Sequence, residues 1–248
     1  MKLNILPKKD QITNDWTVEK VAQEYPPPTW ESVFENAKDE IKDISEILED
    51  DKKSYGMWFP DNVNLFRAFQ VTPLNKVRVV ILGMDPYINT FTLNGKEIPQ
   101  ATGMAFSVPR GCPVPPSLKN IYKELANEFE DFVTPNHGDL TLWCLQGVML
   151  LNVCLTVRKS SSGSHGEVWT GFIKKVINAI LEANPHCIFV MWGKNAQKMK
   201  KIVGERTVIL ESAHPSPLSA RNFFGCGHFK KINELLVERK QKPIDWSL

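Results

Sequence analysis

The stretch VRVVILGMDPY at residues 77–87 joins an apolar run, interrupted only by Arg78, to a turn that carries a carboxylate. An apolar run without polar alternation is typical of a strand that is buried on both faces of a parallel sheet. Similar runs follow along the chain at VMLL (148–151), CIFVMW (187–192) and TVIL (207–210). The sequence therefore predicts four buried strands, of which residues 77–82 form the first.

Segments with helical periodicity alternate with these strands. Apolar side chains recur at a spacing of three or four residues in four segments: Trp30 to Leu48, Leu118 to Phe129, Trp169 to Ile180 and Phe229 to Leu236. Ser117 is predicted to cap the second segment, and a short basic helix is expected near Lys194–Lys201. The alternation favours an α/β fold with a single domain, in which helices flank both faces of a central four-stranded parallel sheet.

Composition places the chain among ordinary globular proteins. It has 248 residues, of which 42% are hydrophobic and 23% charged, so one well-buried core is expected. The mean hydropathy is −0.24 and no long apolar run predicts a membrane span. MKLNILPKKD at the start has no apolar core of a secretory signal, and the five cysteines form no C-x-x-C pair. We expect an intracellular, reducing location rather than secretion.

Charge is distributed unevenly along the chain. The net charge is +2, but residues 1–70 carry nine basic and 14 acidic side chains, whereas residues 71–248 carry 21 and 14. The second part, at +7, is therefore the part that could face a polyanion. Residues 1–28 are polar and end in three prolines, so we expect an N-terminal arm or linker there and a single folded domain over residues 29–248.

Polar side chains follow the predicted strands at the end where a parallel sheet binds its ligands. Asp85 follows the first strand, Asn152 ends the second, and His214 follows the fourth. Glycine-rich nucleotide loops, a G-x-S-x-G turn and metal-ligand spacing are all missing from the sequence. A metal-free site with a carboxylate, an amide and an imidazole remains. Taken singly, Asp85 before Pro86 is also a turn former, and His214, Asn152 and Phe106 have ordinary structural explanations.

At these same residues the chain resembles the uracil-specific family of uracil-DNA glycosylases. The segments that carry the resemblance are GMDPY (83–87), GMAFSV (103–108), PPSLKNIYKEL (115–125), HGDLTLWCLQGVMLLNVCLTV (137–157), HPSPLSA (214–220), FFGCGHF (223–229) and KPIDW (242–246). The resemblance implies a DNA repair enzyme that flips uracil out of single- or double-stranded DNA and hydrolyses its N-glycosidic bond. It also implies that no metal or cofactor is needed, and we expect a monomer.

The resemblance assigns the chemistry to Asp85, which activates water, and to His214, which stabilises the leaving base. Asn152 reads the uracil edge, and the remaining uracil-binding residues are Met84, Tyr87 and Phe106. The DNA-binding residues that it implies are Ser117, Lys194, Ser216, Leu218 and Ser219. In this assignment Leu218 wedges into the stack, and the serines hold phosphates.

Several substitutions depart from the family pattern. Met84 and Ile88 replace a glutamine and a histidine, and these two keep a second hypothesis open. Lys194 replaces a serine. Residues 88–102 form an insertion that could cover the cavity, add DNA contacts or be a neutral excursion. The alternative is therefore a DNA-binding replication accessory factor that keeps the fold with weak or no catalysis. A mismatch-directed glycosylase is disfavoured by Tyr87 and the complete HPSPLS motif.

Overall fold

The computed structural model describes residues 11–205 and 207–248, and a parallel sheet lies at its centre. The strands along the chain are β1 (Trp58–Phe59), β2 (Val79–Gly83), β3 (Thr90–Leu93), β4 (Lys96–Pro99), β5 (Val148–Asn152), β6 (Val157–Arg158), β7 (Ile188–Trp192) and β8 (Ile209–Ser212). The central sheet has the order β5–β2–β7–β8, and all its pairings are parallel. The predicted four-stranded parallel sheet is confirmed, with strand bounds shifted by no more than two residues.

Burial differs between the two edge strands of this sheet, β5 and β8. Every residue of β2, β5 and β7 is buried, as continuous apolar runs predict for strands that are covered on both faces. The edge strand β8 is only half-buried. Register places Gly83 of β2 opposite Asn152 of β5, so the last residues of these two strands are neighbours.

Helices and short 3₁₀ turns fill the connections. The helices are α1 (Val18–Glu24), α2 (Glu31–Asn36), α3 (Lys38–Tyr55), α4 (Arg67–Val71), α5 (Pro116–Glu128), α6 (Thr141–Cys144), α7 (Thr170–Ala183), α8 (Lys194–Gln197), α9 (Lys200–Val203), α10 (Ala220–Phe223) and α11 (His228–Glu238). The 3₁₀ turns are Asn62–Asn64 and Leu74–Lys76. Across the described ranges, none of these helices has both the length and the hydropathy to cross a bilayer.

Two groups of aromatic side chains pack these elements together. In the first, Phe34 of α2 contacts Phe69 of α4 and Phe172 of α7, with ring centroids 5.5 Å and 5.3 Å away. In the second, Trp192 at the end of β7 contacts Phe223 of α10 at 5.2 Å and Phe229 of α11 at 5.9 Å. Edge-to-face pairs of this kind add about 0.5–1.5 kcal/mol each to the burial of their area. The second group therefore fixes the end of β7 at the carboxyl edge of the sheet.

Three helix predictions need correction. The short basic helix expected near Lys194–Lys201 is two short helices, α8 and α9. The segment from Trp30 to Leu48 is two helices, because the backbone leaves helical geometry at the buried Ala37 (φ −107°, ψ 14°). Ser117 is not the cap of α5. The cap is Pro115, and the helix begins at Pro116, whose fixed φ and missing N–H suit the first helical position. Ser117 therefore lies inside the first turn.

The predicted N-terminal arm differs from the structure over residues 11–28. Helix α1 begins after Thr17, whose side chain accepts a hydrogen bond from the Lys20 N–H. Val18 and Val21 are almost completely buried in the main apolar core, and α1 packs on α3. Apolar side chains at helical spacing inside a polar stretch explain this packing. Residues 1–10 of the predicted arm lie outside the described residues.

The insertion at 88–102 contains a β-hairpin. Strands β3 and β4 pair antiparallel from Thr90↔Pro99 to Leu93↔Lys96. Asn94 and Gly95 form the turn, with φ values of 51° and 77°. Two positive φ values are typical of the tight turn whose twist matches that of the paired strands.

Candidate active site

A cavity of about 740 Å³ opens at the carboxyl edge of the sheet, where β2, β5 and β7 end. Open parallel sheets bind their ligands at this edge. The predicted site residues that line the cavity are Met84, Asp85, Tyr87, Phe106, Ser117, Asn152, Lys194, His214, Ser216 and Leu218. Ser219 is the one predicted residue that does not line it. Residues from six separate segments of sequence are thus brought to one place.

Asn152 presents a free amide to this cavity. The side chain is 6% exposed and forms no hydrogen bond with any residue that the structure describes. Gly83 makes room for it, because a Cβ at this position would lie 2.2 Å from the Asn152 Oδ1. A buried amide without a protein partner is costly unless a ligand supplies one. This arrangement suits recognition of a polar edge of a ligand.

Asp85 is held by a loop that the sequence did not single out. Its Oδ2 accepts hydrogen bonds from the Ser162 hydroxyl at 2.9 Å and from the Gly163 N–H at 2.6 Å. Ser162 also lines the cavity. The sequence analysis missed both residues, since they lie 77 and 78 positions away in a segment without strand or helix periodicity.

His214 is a neutral donor in this geometry. Its Nδ1 accepts a hydrogen bond from the Ser216 backbone N–H at 3.0 Å, so the ring proton resides on Nε2. Burial lowers the pKa of His214 below its usual range, and the charge of Asp85 opposes this shift only in part. Within the described ranges, Nε2 has no hydrogen-bond partner. A neutral N–H is therefore available to a ligand in the cavity.

Phe106 and Tyr87 form an aromatic wall. Phe106 has a φ of 64°, which is rare for a residue with a side chain and costs backbone strain. Its carbonyl accepts a hydrogen bond from the Tyr87 hydroxyl at 3.2 Å, and its ring lies 5.7 Å from Trp192. Burial raises the pKa of the Tyr87 phenol, so this hydroxyl remains a neutral donor. The contacts with Tyr87 and Trp192 hold Phe106 in this strained backbone conformation.

The loop at 214–219 carries an exposed apolar tip. Leu218 is 99% exposed. The base of the loop is fixed by Asn120 of α5, whose amide donates to the Pro215 carbonyl at 2.7 Å. The Ser219 hydroxyl donates to the His214 carbonyl at 2.6 Å. The Ser216 and Ser219 hydroxyl oxygens lie 3.1 Å apart. Ser219 thus shapes the loop rather than the cavity wall.

Two of the substituted positions, Met84 and Lys194, lie close to one contact at the cavity. Lys194 begins α8 at the cavity and is exposed. Its neighbour Asn195 donates a hydrogen bond to the Met84 sulfur at 2.7 Å. The Met84 side chain is therefore tied to α8, a contact that no sequence motif indicated.

A group of side chains of the kind that can ligate a metal ion lies elsewhere in the molecule. In the described parts of the chain, one group of acidic and thiol side chains is compact enough to share an ion: Glu124, Glu128 and Cys226. None of the three lines the cavity. Glu124 accepts from the Gly225 and Gly227 N–H groups, and Glu128 accepts from the Lys230 N–H. The carboxylates therefore cap the start of α11.

Comparison with curated proteins gives long matches. A uracil-DNA glycosylase of Francisella tularensis subsp. tularensis is 45% identical over 225 residues, which cover 89% of this chain and 99% of the relative. The uracil-DNA glycosylase of subsp. novicida is 44% identical with the same coverage.

Solved structures agree with these sequence matches. The crystal structure of mimivirus uracil-DNA glycosylase has a TM-score of 0.80 and 32% identity, covering 89% of this chain and 87% of that one. A mimivirus UNG variant in complex with UGI has a TM-score of 0.83 and 32% identity, covering 97% and 100%. The model of the uracil DNA glycosylase superfamily matches residues 69–237, which include the four central strands and the loops at their ends. The chain belongs to the uracil-DNA glycosylase superfamily.

Proposed function

We propose that the chain hydrolyses the N-glycosidic bond between uracil and deoxyribose in DNA, which releases uracil and leaves an abasic site. The observation that carries this proposal is the convergence of Asp85, Asn152 and His214 on one cavity that Phe106 also lines. A base within a duplex must leave the stack before an enzyme reaches its sugar carbon. The cavity at the sheet edge receives the flipped base.

Asp85 and His214 divide the charge of the reaction between them. As the bond breaks, the sugar becomes cationic and the electron pair leaves with the uracil. The Asp85 carboxylate stabilises the cation and accepts the proton of the attacking water, whose oxygen bonds to the sugar carbon. The Nε2–H of neutral His214 donates to the uracil O2, where negative charge develops.

Selectivity is assigned to Asn152 and Tyr87. The amide of Asn152 pairs with N3–H and O4 of uracil, and cytosine presents the opposite donor pattern there. Tyr87 packs against C5 of the base and excludes the methyl group of thymine by steric conflict. Phe106 stacks on the flipped ring, and Met84 contributes its backbone N–H.

DNA contacts are assigned to the rim of the cavity. The exposed Leu218 wedges into the gap that the flipped base leaves in the stack. Ser117, in the first turn of α5, and Ser216 donate to phosphates, and Lys194 adds a positive charge. Ser219 contributes by holding the loop that carries Leu218.

The setting follows from the remaining observations. All five cysteines are free thiols, which supports a reducing intracellular location. We propose that the protein acts as a monomer on single- and double-stranded DNA without a metal or cofactor.

The test is a release assay in EDTA on single- and double-stranded DNA that carries one uracil or one mismatched thymine. We expect uracil release from both DNA forms and no thymine release. The double variant Asp85→Asn, His214→Ala should lose almost all activity. Asp131→Asn, His186→Ala is the matched control, because both residues are exposed and neither lines the cavity. DNA binding without uracil release would identify an accessory factor instead.

A further inference from the structure

We propose that the segment of residues 162–165 is a positioning element, in which Ser162 and Gly163 orient the Asp85 carboxylate and Asp51 of α3 anchors the segment. The inference rests on the role proposed for Asp85. It assigns a part in the reaction to a loop and a helix that lie outside the strand-end motifs.

The contact with Asp85 is one-sided. Both donors, the Ser162 hydroxyl and the Gly163 N–H, bond to the same oxygen, Oδ2. Oδ1 receives no hydrogen bond from residues 11–205 or 207–248. Two donors on one oxygen fix the rotation of the carboxylate, so Oδ1 is the oxygen left to bind the attacking water.

The segment keeps its shape through short backbone contacts. Ser164 accepts the Arg158 N–H on its hydroxyl at 2.8 Å, and its own N–H donates to the Ser161 carbonyl at 3.3 Å. The Ser160 N–H donates to the Ile88 carbonyl at 2.8 Å, which joins the loop to the chain just beyond Asp85. The donors therefore have a fixed place relative to the carboxylate.

The other end of the segment is tied to α3. The Asp51 side chain is 8% exposed and accepts from the Arg158 guanidinium and from His165 Nε2, the latter at 3.1 Å. His165 Nδ1 lies 2.9 Å from the Thr156 hydroxyl, and the oxygen of that hydroxyl accepts from the Trp169 indole N–H at 2.8 Å. Arg158 and the adjacent His165 lower the pKa of Asp51, so it is charged at neutral pH. A charged, buried carboxylate with strong donors is a rigid attachment point.

Ser162→Ala tests the contact with Asp85. We expect kcat for uracil release to fall about tenfold with KM changed less than twofold, because the hydrogen bond acts on the reacting carboxylate. Ser162→Thr, which keeps the hydroxyl, should restore most of the rate. Ser161→Ala is the matched control with unchanged kinetics, since the hydroxyl of Ser161 forms no hydrogen bond among the described residues.

A double-mutant cycle separates positioning from a general structural effect. In an Asp85→Asn background, Ser162→Ala should have no further effect on kcat. An equal loss in both backgrounds, or wild-type kcat in Ser162→Ala alone, would overturn the positioning role while leaving Asp85 in place. Wild-type activity in Asp85→Asn alone would instead overturn the role proposed for Asp85 and this inference with it.

Amide hydrogen exchange tests the anchor. The Gly163 N–H is protected by its bond to Asp85. In Asp51→Asn we expect it to exchange at least tenfold faster, while amides of β2 and β5 keep their wild-type rates. An unchanged exchange rate at Gly163 would show that Asp51 does not hold the segment.

Discussion

Among the described residues, the pair of Asp51 and His165 differs from the pair of Asp85 and His214 in how many of its polar atoms bond to other protein groups. Asp51 and His165 bond to each other, and each has a further protein partner. Asp85 and His214 each have protein partners on one side only, and both line the cavity. Because Asp51 and His165 each have more than one protein hydrogen-bond partner, they are a fixed part of the fold. The open atoms of the second pair are what a substrate can use.

Asp85→Asn should produce the largest change, because it removes the charge of the open pair. We expect kcat for uracil release to fall about 10³-fold, within the range typical of a general base. The fold should persist, since Asn can still accept from Ser162 and Gly163. Steady-state kinetics and thermal unfolding of the same preparation measure the two effects. A loss of stability comparable to that of an Asp51 variant would erase the distinction between the pairs.

Asp51→Asn should act mainly on stability. It removes the charge that pairs with Arg158, whose side chain is 28% exposed, and with the buried His165. We expect the free energy of unfolding to fall by about 2 kcal/mol, below the 3–5 kcal/mol typical of fully buried pairs. Urea denaturation measures it. Asp50→Asn is the control, because its pair with Lys53 is exposed to solvent and should contribute little to the free energy of unfolding. Equal free energies of unfolding for the two variants would contradict the structural role assigned to Asp51.

Acid should weaken the fold gradually, and this is the smallest effect. Burial lowers the pKa of both His165 and His214 in the folded state. Below about pH 6.5 these two imidazoles therefore bind more protons in the unfolded chain than in the folded one, so their contribution to the free energy of unfolding falls as pH decreases. Burial raises the pKa of Glu128 to about 7, and this carboxyl group acts in the opposite direction. The melting temperature at pH 5 should lie below that at pH 7. NMR titration of the imidazole resonances would measure the two pKa values separately. A His165 pKa above about 6.5 in the folded protein would contradict the predicted direction of its shift.

The strand-end residues were predictable from sequence because parallel strands bring their carboxyl ends to one edge. Asp85, Asn152 and His214 needed only the four apolar runs to be placed together. The contacts of Ser162 with Asp85 and of Asp51 with Arg158 join positions 77 and 107 residues apart. Such contacts depend on how irregular loops fold back, and periodicity carries no information about them.

Two features that the sequence analysis did not predict, the hairpin and the helix break, have different causes. The turn residues Asn94 and Gly95 stand between TFTL and KEIP, which is a strong hairpin signal that the sequence did contain. The break at Ala37 had no such signal, since alanine is the best helix former. Ala37 is completely buried, and packing of the flanking helices on the core overrides propensity there.

The hairpin of β3 and β4 makes the length of the chain at 88–102 independent of the shape of the cavity. The Gln100 N–H donates to the Asn89 carbonyl at 3.0 Å, which closes the hairpin at its base. Ile88 and Ala101, on either side of that closure, line the cavity, whereas the turn at Asn94 and Gly95 does not. Sequence can therefore be added or exchanged at the turn without moving the residues that meet a base. The turn of the hairpin is therefore a suitable position for inserting another binding module beside the active site.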